Sequence, residues 1–245
     1  MLRIIGLKKY FGGVKAVDRC SFNIEKGIIT AIIGPNGSGK TTIFNLISGI
    51  LRADCGKIIF ETKNITNLSI EEISSLGISR LFQQTRLFNN LTVKENIFLA
   101  INNDDTKFWK NVLGINKIRK EDDDAINRWL GLFKLGKLKD KQCSSLSYGQ
   151  KRLIELIRTI ARPNKLLILD EPVAGVSPSI RKEMAKILLR LKNEGRTILL
   201  TEHDISFVSK LADKIIVMDN GKIVTIGKPS QIVRNKTVLK VYLGV

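Results

Sequence analysis

The chain has 245 residues, 43% of them hydrophobic and 26% charged, a composition typical of a globular protein with one large or two small domains. Its apolar runs fall short of the roughly 18 residues needed to cross a bilayer, and its charged N-terminal stretch lacks the pattern of a secretory signal. With 41 basic and 23 acidic residues the net charge is +18, which suits nucleic acid, an anionic membrane or phosphorylated small molecules, but also general solubility.

Short apolar runs separated by turn residues predict β-strands at the start of the chain. They cover residues 2–7, 20–24, 28–33 and 57–60. After the third run the apolar spacing changes to three or four residues, which predicts an amphipathic helix. The apolar stripe of this helix is formed by Ile43, Phe44, Ile47 and Ile50.

Residues 90–162 have a mostly helical pattern, and we expect them to form a helical subdomain inserted in an α/β core. One stripe in this stretch contains Ile126, Trp129, Leu130 and Phe133. At helical spacing, Trp129 and Phe133 indicate core packing rather than a platform for stacked bases. The part from 102 to 124 is polar and mixed in charge, and its role stays open.

Alternating helices and strands resume in the last third of the chain. Residues 165–169 and 196–201 are predicted strands, and residues 214–218 and 222–226 predict a hairpin that turns at residues 219–221. Two apolar stripes predict helices before and between the first two strands: Leu153, Ile154, Ile157 and Ile160, then Met184, Ile187, Leu188 and Leu191. We therefore expect residues 1–245 to form a single domain with one helical insertion.

The rare residue types exclude several kinds of site. Cys20, Cys55 and Cys143 are too widely spaced for a zinc site or a disulfide framework, which predicts a reducing, cytosolic setting. The single histidine, His203, excludes a histidine-rich metal centre.

A glycine-rich loop follows the third predicted strand. Its sequence, GPNGSGKT, matches the phosphate-binding pattern G-x-x-x-x-G-K-[ST] in the required strand–loop–helix context. Glycines let backbone N–H groups surround phosphate oxygens, and the helix N-terminus adds partial positive charge. Lys40 would reach the β- and γ-phosphates, and Thr41 would offer its hydroxyl to Mg²⁺. The predicted nucleotide-binding residues are Gly34, Pro35, Asn36, Gly37, Ser38, Gly39, Lys40, Thr41 and Thr42.

The run LLILDE predicts a second functional strand. Asp170 stands at the C-terminal tip of this strand, the edge where α/β sheets bind ligands. Asp170 suits the Mg²⁺ site, and Glu171 suits the base that activates the attacking water. An acidic pair after a strand, taken alone, is more often a solvated turn. Because this chain also has a phosphate loop, the catalytic interpretation is favoured here.

The segment LSYGQ has two interpretations. Ser147 and Gln150 are spaced as a capping box, which marks the start of a helix. Ser147 and Gly149 at a helix N-terminus would also form an anion site.

The phosphate loop, LSYGQ, LILDE and a strand ending in a histidine, in this order, resemble the ATP-binding cassette (ABC) ATPase family over essentially the whole chain. The resemblance implies an α/β P-loop NTPase fold: a RecA-like core with an N-terminal antiparallel β subdomain and an inserted α-helical subdomain. It also implies ATP and Mg²⁺ as cofactors and hydrolysis of ATP to ADP and phosphate.

The resemblance further implies roles for single residues. Phe11, or Tyr10 beside it, falls where the family stacks an aromatic ring on adenine. Gln83, with Gln84 as the neighbouring alternative, falls at the glutamine that contacts Mg²⁺ and water. The implied catalytic set is Glu171, His203, Gln83 and Lys40, with Thr41, Gln83 and Asp170 at the metal, and with Ser147, Gly149 and Gln150 facing the nucleotide of a second subunit.

Two positions depart from the family pattern. Tyr148 stands where a second glycine is usual, and Ser177 stands where many members have aspartate, so Ser177 stays outside the catalytic set. With one phosphate loop, the chain needs a copy or a paralogue to complete two sandwiched nucleotides. In the family, closure of that dimer on ATP is the working stroke.

A finer resemblance is to the cassettes of branched-chain amino-acid importers. It is carried by the phrase at residues 86–88, the polar insertion and the ending at residues 241–244. It implies transmembrane permease subunits, a second ABC ATPase subunit and an extracytoplasmic substrate-binding protein as partners, at the cytoplasmic face of the membrane. Residues 83–88 lie between the family's nucleotide-sensing glutamine and the helical lobe, and we expect them, with the helices that follow, to dock the permease. The first alternative is a cassette of a lipopolysaccharide exporter. The second alternative is a soluble ABC ATPase that acts on DNA or ribosomes, but we do not expect nucleic acid as a partner. The cargo, the direction of transport and the identity of the second cassette stay open.

Overall fold

The computed structural model describes residues 1–101 and 119–243, which divide into two units. We call Met1–Gln83, Asn164–Pro172 and Leu188–Val245 the core unit, and Gln84–Pro163 with Val173–Ile187 the helical unit. The predicted helical insertion at 90–162 falls within the helical unit. Most of the polar segment predicted at 102–124 lies outside the described residues, as does Gly244 of the ending at 241–244.

All the strands in the described residues belong to the core unit. They are β1 Leu2–Phe11, β2 Val14–Ile24, β3 Ile29–Ile33, β4 Cys55–Phe60, β5 Lys63–Asn64, β6 Ile78–Leu81, β7 Leu166–Asp170, β8 Thr197–Glu202, β9 Lys214–Asp219 and β10 Lys222–Gly227.

Six of these strands form a mostly parallel sheet in the order β10-β9-β3-β8-β7-β6. Every residue of β3, β7 and β8 is buried, which explains why these strands are nearly continuous apolar runs in the sequence. The hairpin β9–β10 turns at Asn220 and Gly221, whose φ angles are 44° and 75°. Two successive positive φ values are typical of the type I′ turn, so the predicted hairpin is confirmed.

The remaining strands form an antiparallel sheet in the order β2-β1-β4-β5. Leu2 lies opposite Ile24 on one side and Phe60 on the other, and all three are buried in one cluster. The first two strands begin or end several residues beyond the predicted runs, because pairing across β1 extends through polar positions that carry no apolar signal. This sheet is the antiparallel β subdomain that the sequence predicts.

The helices are α1 Lys40–Ile47, α2 Ile70–Ser75, α3 Val93–Ile101, α4 Lys120–Leu132, α5 Tyr148–Ile160, α6 Pro178–Asn193, α7 Ile205–Leu211, α8 Pro229–Ile232 and α9 Lys236–Leu243. Helix α1 ends before Ile50, which the predicted stripe includes and which is 39% exposed. The reason is Gly49, whose φ of 74° ends the helix in a left-handed conformation. None of the helices in the described ranges is long and apolar enough to cross a membrane.

The helical unit contains α3, α4, α5 and the first part of α6. The predicted stripe of α4 faces inward at Ile126 and Leu130, which are at most 1% exposed, while Trp129 is half-buried. Phe133, just after the helix, is also buried, which agrees with a core role for this stripe. The stripe predicted at residues 153–160 is buried throughout.

Candidate active site

The phosphate loop lies between the end of β3 and the start of α1. A Cβ atom at Gly34 would overlap the backbone oxygen of Met218, and one at Gly39 would overlap that of Ala16. Gly39 also has a φ of 100°, which a side chain would strain. Both positions therefore require glycine, because strands β2 and β9 pack directly on the loop.

Lys40 is the first residue of α1 and its side chain turns back into the loop. The ammonium group donates to the carbonyl oxygens of Gly34 and Pro35, each at 2.9 Å. Burial lowers the pKa of Lys40, while the carboxylates of Glu171 and Asp170 act in the opposite direction. The result is a buried cation held at the wall of a phosphate-sized cradle.

A pocket of about 880 Å³ opens beside this loop, within the size range of small-molecule sites. It brings together most of the core-unit residues that the sequence assigns to the nucleotide. Its lining consists of Val14, Lys15, Ala16, Gly34, Pro35, Asn36, Gly37, Gly39, Lys40, Thr41, Thr42, Gln83, Glu171, His203, Asn220 and Tyr242.

Asp170 ends β7 and lies buried, with 2% of its surface exposed. Its Oδ1 accepts a hydrogen bond from the Thr201 hydroxyl at 2.8 Å, and its Oδ2 accepts one from Arg80 at 2.8 Å. The carboxylate is thus held from two sides, and it does not line the pocket directly.

Glu171, one residue on, turns into the pocket. Its φ of 44° is unusual for a non-glycine residue, and its backbone N–H donates to the carbonyl oxygen of Thr201 at 3.2 Å. The carboxylate accepts a hydrogen bond from the side-chain amide of Gln83 at 3.1 Å. Such strain is tolerated where the surrounding structure holds it, and it directs this carboxylate to the pocket.

His203 follows β8 and lines the same pocket with a side chain that is 58% exposed. Its Nδ1 lies 4.0 Å from the carboxylate of Glu202, which is buried in the strand. The three residues Gln83, Glu171 and His203 therefore surround one pocket although they follow three different strands. Glu171 can accept a proton, whereas Gln83 and His203 can bond to a phosphate or a water, and all three side chains line the same pocket.

The LSYGQ segment lies in the helical unit, at the start of α5. The Ser147 hydroxyl accepts from the Gln150 N–H at 3.3 Å, and the Gln150 side chain accepts from the Ser147 N–H at 3.0 Å. This is the predicted capping box. A Cβ at Gly149 would lie 3.2 Å from Ile180, so this turn packs closely on α6, while Tyr148 stays 45% exposed.

Sequence reasoning missed five lining residues and included three core-unit residues that do not line the pocket, namely Phe11, Ser38 and Asp170. Val14, Lys15, Ala16, Asn220 and Tyr242 are contributed by β2, the β9–β10 turn and α9. Among these residues, only Asn220 carried a local signal, as part of the predicted Asn-Gly turn. The Gly221 N–H donates to the Ser38 carbonyl at 3.1 Å, and this bond attaches the turn to the phosphate loop.

The two candidate adenine-stacking residues lie on β1. Phe11 is 46% exposed, with the Lys9 ammonium 5.4 Å from its ring centre, and it is not among the described residues that line the pocket. The Tyr10 hydroxyl donates to Asp18 at 2.8 Å. The stacking role stays a prediction.

Comparison with known proteins places the chain in a family. The family model described as ABC transporter matches residues 17–174, more than half of the chain. This chain is a member of the ABC transporter family. The predicted P-loop NTPase fold with its β and helical subdomains is confirmed, and the cassette is an ATP-hydrolysing enzyme that drives transport as part of a transporter complex.

Full-length relatives of the cassette come from archaea and bacteria. The probable branched-chain amino acid transport ATP-binding protein LivG of Archaeoglobus fulgidus is 42% identical over 247 residues, covering 100% of this chain and 95% of that protein. The high-affinity branched-chain amino acid transport ATP-binding protein LivG of Escherichia coli is 34% identical over 249 residues, covering 100% and 98%. A solved ATP-binding cassette of an ABC transporter in its ADP conformation is 35% identical, with a TM-score of 0.87 and coverage of 100% and 99%.

Proposed function

We propose that this cassette is the ATPase subunit of an importer of branched-chain amino acids. The observation that carries the proposal is the similarity, over the whole chain, to proteins named for branched-chain amino-acid transport. The cargo itself never contacts a cassette, so this part of the proposal depends on the relatives, whereas the ATPase chemistry depends on the pocket.

The phosphate loop would hold the nucleotide. Backbone N–H groups of Asn36–Gly39 and the N-terminus of α1 would provide donors and partial positive charge for the phosphates. The Lys40 ammonium, already turned into the loop, would move from the carbonyls of Gly34 and Pro35 to the β- and γ-phosphates. Thr41 and Thr42 line the pocket at the same end of α1.

Hydrolysis would be carried out by the three pocket residues that follow different strands. Glu171 would accept a proton from the attacking water, and the Gln83 amide, 3.1 Å from its carboxylate, would orient that water. His203 would donate a hydrogen bond to the γ-phosphate, where negative charge develops in the transition state. Each of these roles is supported by the convergence of the three side chains on the pocket.

The residues present fit a magnesium ion. Mg²⁺ prefers oxygen ligands, keeps several waters and is usually bound by one or two carboxylates together with substrate phosphates. The Thr41 hydroxyl and the Gln83 amide oxygen line the pocket, and the Asp170 carboxylate lies fixed behind it. When bound, the ion would neutralise charge on the phosphates. The protein's part is to keep these oxygens in place.

A second cassette would complete the site. Ser147, Gly149 and Gln150 begin helix α5 and present a helix N-terminus, which favours an anion such as a γ-phosphate. We assign these residues to the nucleotide of the partner cassette, and Phe11 to the adenine of its own. Closure of the pair around ATP would exclude water and transmit force to the permease subunits.

The proposed setting is the cytoplasmic face of the membrane, with permease subunits and an extracytoplasmic substrate-binding protein as the other partners. To test it, Glu171→Gln should be purified from native membranes with Mg-ATP, since it would bind ATP without turning it over. We expect a pair of multi-spanning permease subunits and a second cassette to accompany it. When reconstituted with wild-type cassette and binding protein, they should take up leucine, isoleucine or valine.

The matched control for this experiment is Lys40→Met, which should not trap the nucleotide-dependent assembly. Recovery of an assembly that moves lipopolysaccharide, or of ribosomes or DNA without membrane protein, would contradict the proposal. An importer with another cargo would contradict only its amino-acid part.

A further inference from the structure

Arg80 is a buried basic residue on β6 that has no place in the hydrolysis scheme. Its Nη2 donates to Oδ2 of Asp170 at 2.8 Å, and the two side chains are only 6% and 3% exposed. Its Nη1 donates to the Asn45 side-chain oxygen at 2.8 Å and to the Ser48 hydroxyl at 2.7 Å. One guanidinium therefore bonds to Asp170 and to the helix that begins at the phosphate-loop lysine.

Two aromatic rings lie next to the same guanidinium. Its carbon lies 4.8 Å from the centre of the Phe82 ring and 5.8 Å from that of Phe44, distances typical of cation–π contacts. Phe44 belongs to α1, and Phe82 directly precedes Gln83. The side chain thus connects α1, Asp170 and the strand that leads to the pocket glutamine.

The Asp170 carboxylate is bonded on both oxygens. Thr201 donates to Oδ1 and Arg80 to Oδ2, each at 2.8 Å, so the plane of the group is set by two neighbouring strands. A buried ion pair adds little net stability, because desolvation offsets its attraction. A planar guanidinium with several donors in a fixed arrangement instead fixes direction, which a lysine ammonium does less well.

We propose that Arg80 is a positioning residue that orients the Asp170 carboxylate toward the divalent cation accompanying ATP. This inference rests on the proposed function, which places Asp170 at the magnesium site. Groups that bond to metal ligands keep them in the binding orientation, and their loss typically weakens metal affinity about 10- to 100-fold. The proposal assigns this task to a residue 90 positions away from Asp170 in the chain.

The test is an equilibrium titration of the full chain with a fluorescent ATP analogue, with and without Mg²⁺. The measured quantity is the factor by which Mg²⁺ strengthens binding. We expect Arg80→Met to reduce this factor about tenfold while leaving the metal-free affinity within about twofold. Arg80→Lys, which keeps the charge and loses the fixed donor arrangement, should fall between Met and wild type. Arg190→Met, which removes an exposed ion pair with Glu194, is the control and should match wild type.

Two results would overturn the inference. An unchanged magnesium factor in folded Arg80→Met would leave Arg80 with a structural role only, and an increased factor would mean that Arg80 merely offsets the charge of Asp170. If thermal melting shows that Arg80→Met does not fold, Arg80→Lys decides, and a wild-type magnesium factor in that variant overturns the orienting role. Asp170→Asn distinguishes a failure of the proposed function from a failure of this inference. If Mg²⁺ strengthens binding to Asp170→Asn as much as to wild type, Asp170 has no role at the cation. If Asp170→Asn loses the effect of Mg²⁺ while the Arg80 variants keep it, only the role of Arg80 is refuted.

Discussion

Two sets of polar side chains, one in each unit, bond to different partners. In the core unit, Arg80 and Thr201 bond to the side chain of Asp170, and Gln83 bonds to that of Glu171 at the pocket. In the helical unit, the buried side chains of Asn96 and Glu155 bond to the backbone of the loop at residues 86–88. Asn96, with no exposed surface, accepts from the Phe88 N–H and donates to the Phe88 carbonyl, both at 3.0 Å.

The same loop of the helical unit is held from a second helix. The buried carboxylate of Glu155 accepts from the Arg86 N–H, and Arg158 donates to the Arg86 carbonyl at 2.7 Å. Burial raises the pKa of Glu155, and the bond from Arg86 opposes that shift. The backbone is thereby fixed while the Phe88 ring stays 53% exposed, with the Arg158 guanidinium 5.5 Å from its centre.

The side-chain contacts of the core unit thus suit catalysis, and the backbone contacts of the helical unit suit binding of a partner. Side-chain networks in the core unit fix reactive groups, so changes there should alter the chemistry of ATP. Backbone networks in the helical unit keep an apolar ring exposed at a fixed place, which suits docking of a permease subunit. Two variants test this division, and a third tests the stability of the helical unit.

The largest effect is expected in the core unit, from Glu171→Gln. The amide keeps an oxygen that can accept from Gln83 but cannot take a proton, so ATP turnover should fall about a thousandfold. Binding of ATP should stay within about threefold of wild type, because the phosphate loop is untouched. Turnover and equilibrium binding of the purified chain measure both, with the exposed Glu194→Gln as control. Turnover near the wild-type rate would remove Glu171 from the role of base.

The next effect is expected in the helical unit, from Arg86→Glu combined with Phe88→Ala. Loss of an exposed ring and reversal of a neighbouring charge should reduce ATP-driven transport about tenfold, as for a residue central to an interface, while basal ATPase activity stays near wild type. Transport in proteoliposomes and ATPase activity of the isolated chain are the two readouts. Ile70→Ala, which trims an apolar side chain of similar exposure in the core unit, is the control. Unchanged transport would exclude this loop as the docking surface.

The smallest effect concerns stability of the helical unit. The ammonium groups of Lys139 and Lys94, each 2.8 Å from one carboxylate oxygen, lower the pKa of Asp123 from 3.8 to about 2. A lowered carboxyl pKa adds stability that is complete above the unfolded value and is lost as the pH falls through the folded one. The free energy of unfolding of Asp123→Asn should therefore be about 1 kcal/mol lower than that of wild type at pH 7, and this difference should shrink between pH 4 and pH 2. Melting curves at several pH values measure it, and a pH-independent difference would contradict the ion-pair origin.

Much of the site was predictable because its signals are local. The phosphate-binding pattern lies within a single strand–loop–helix unit, and the capping box of Ser147 and Gln150 lies within one helical turn. The helix end at Gly49 was missed because the apolar stripe continues past it to Ile50. A left-handed glycine ends a helix whatever the periodicity beyond it.

The sequence by itself determined the family, the alternation of strands and helices, and the residues to which we assign phosphate binding and activation of water. These depend on patterns of neighbouring residues, which local sterics and hydrogen bonding translate directly into structure. The tertiary structure decided which distant side chains complete the site: Asn220 and Tyr242 at the pocket, and Arg80 on Asp170. Apart from the Asn-Gly turn at Asn220, no local pattern marks these residues as part of the site, because tertiary packing brings them to it from distant parts of the chain.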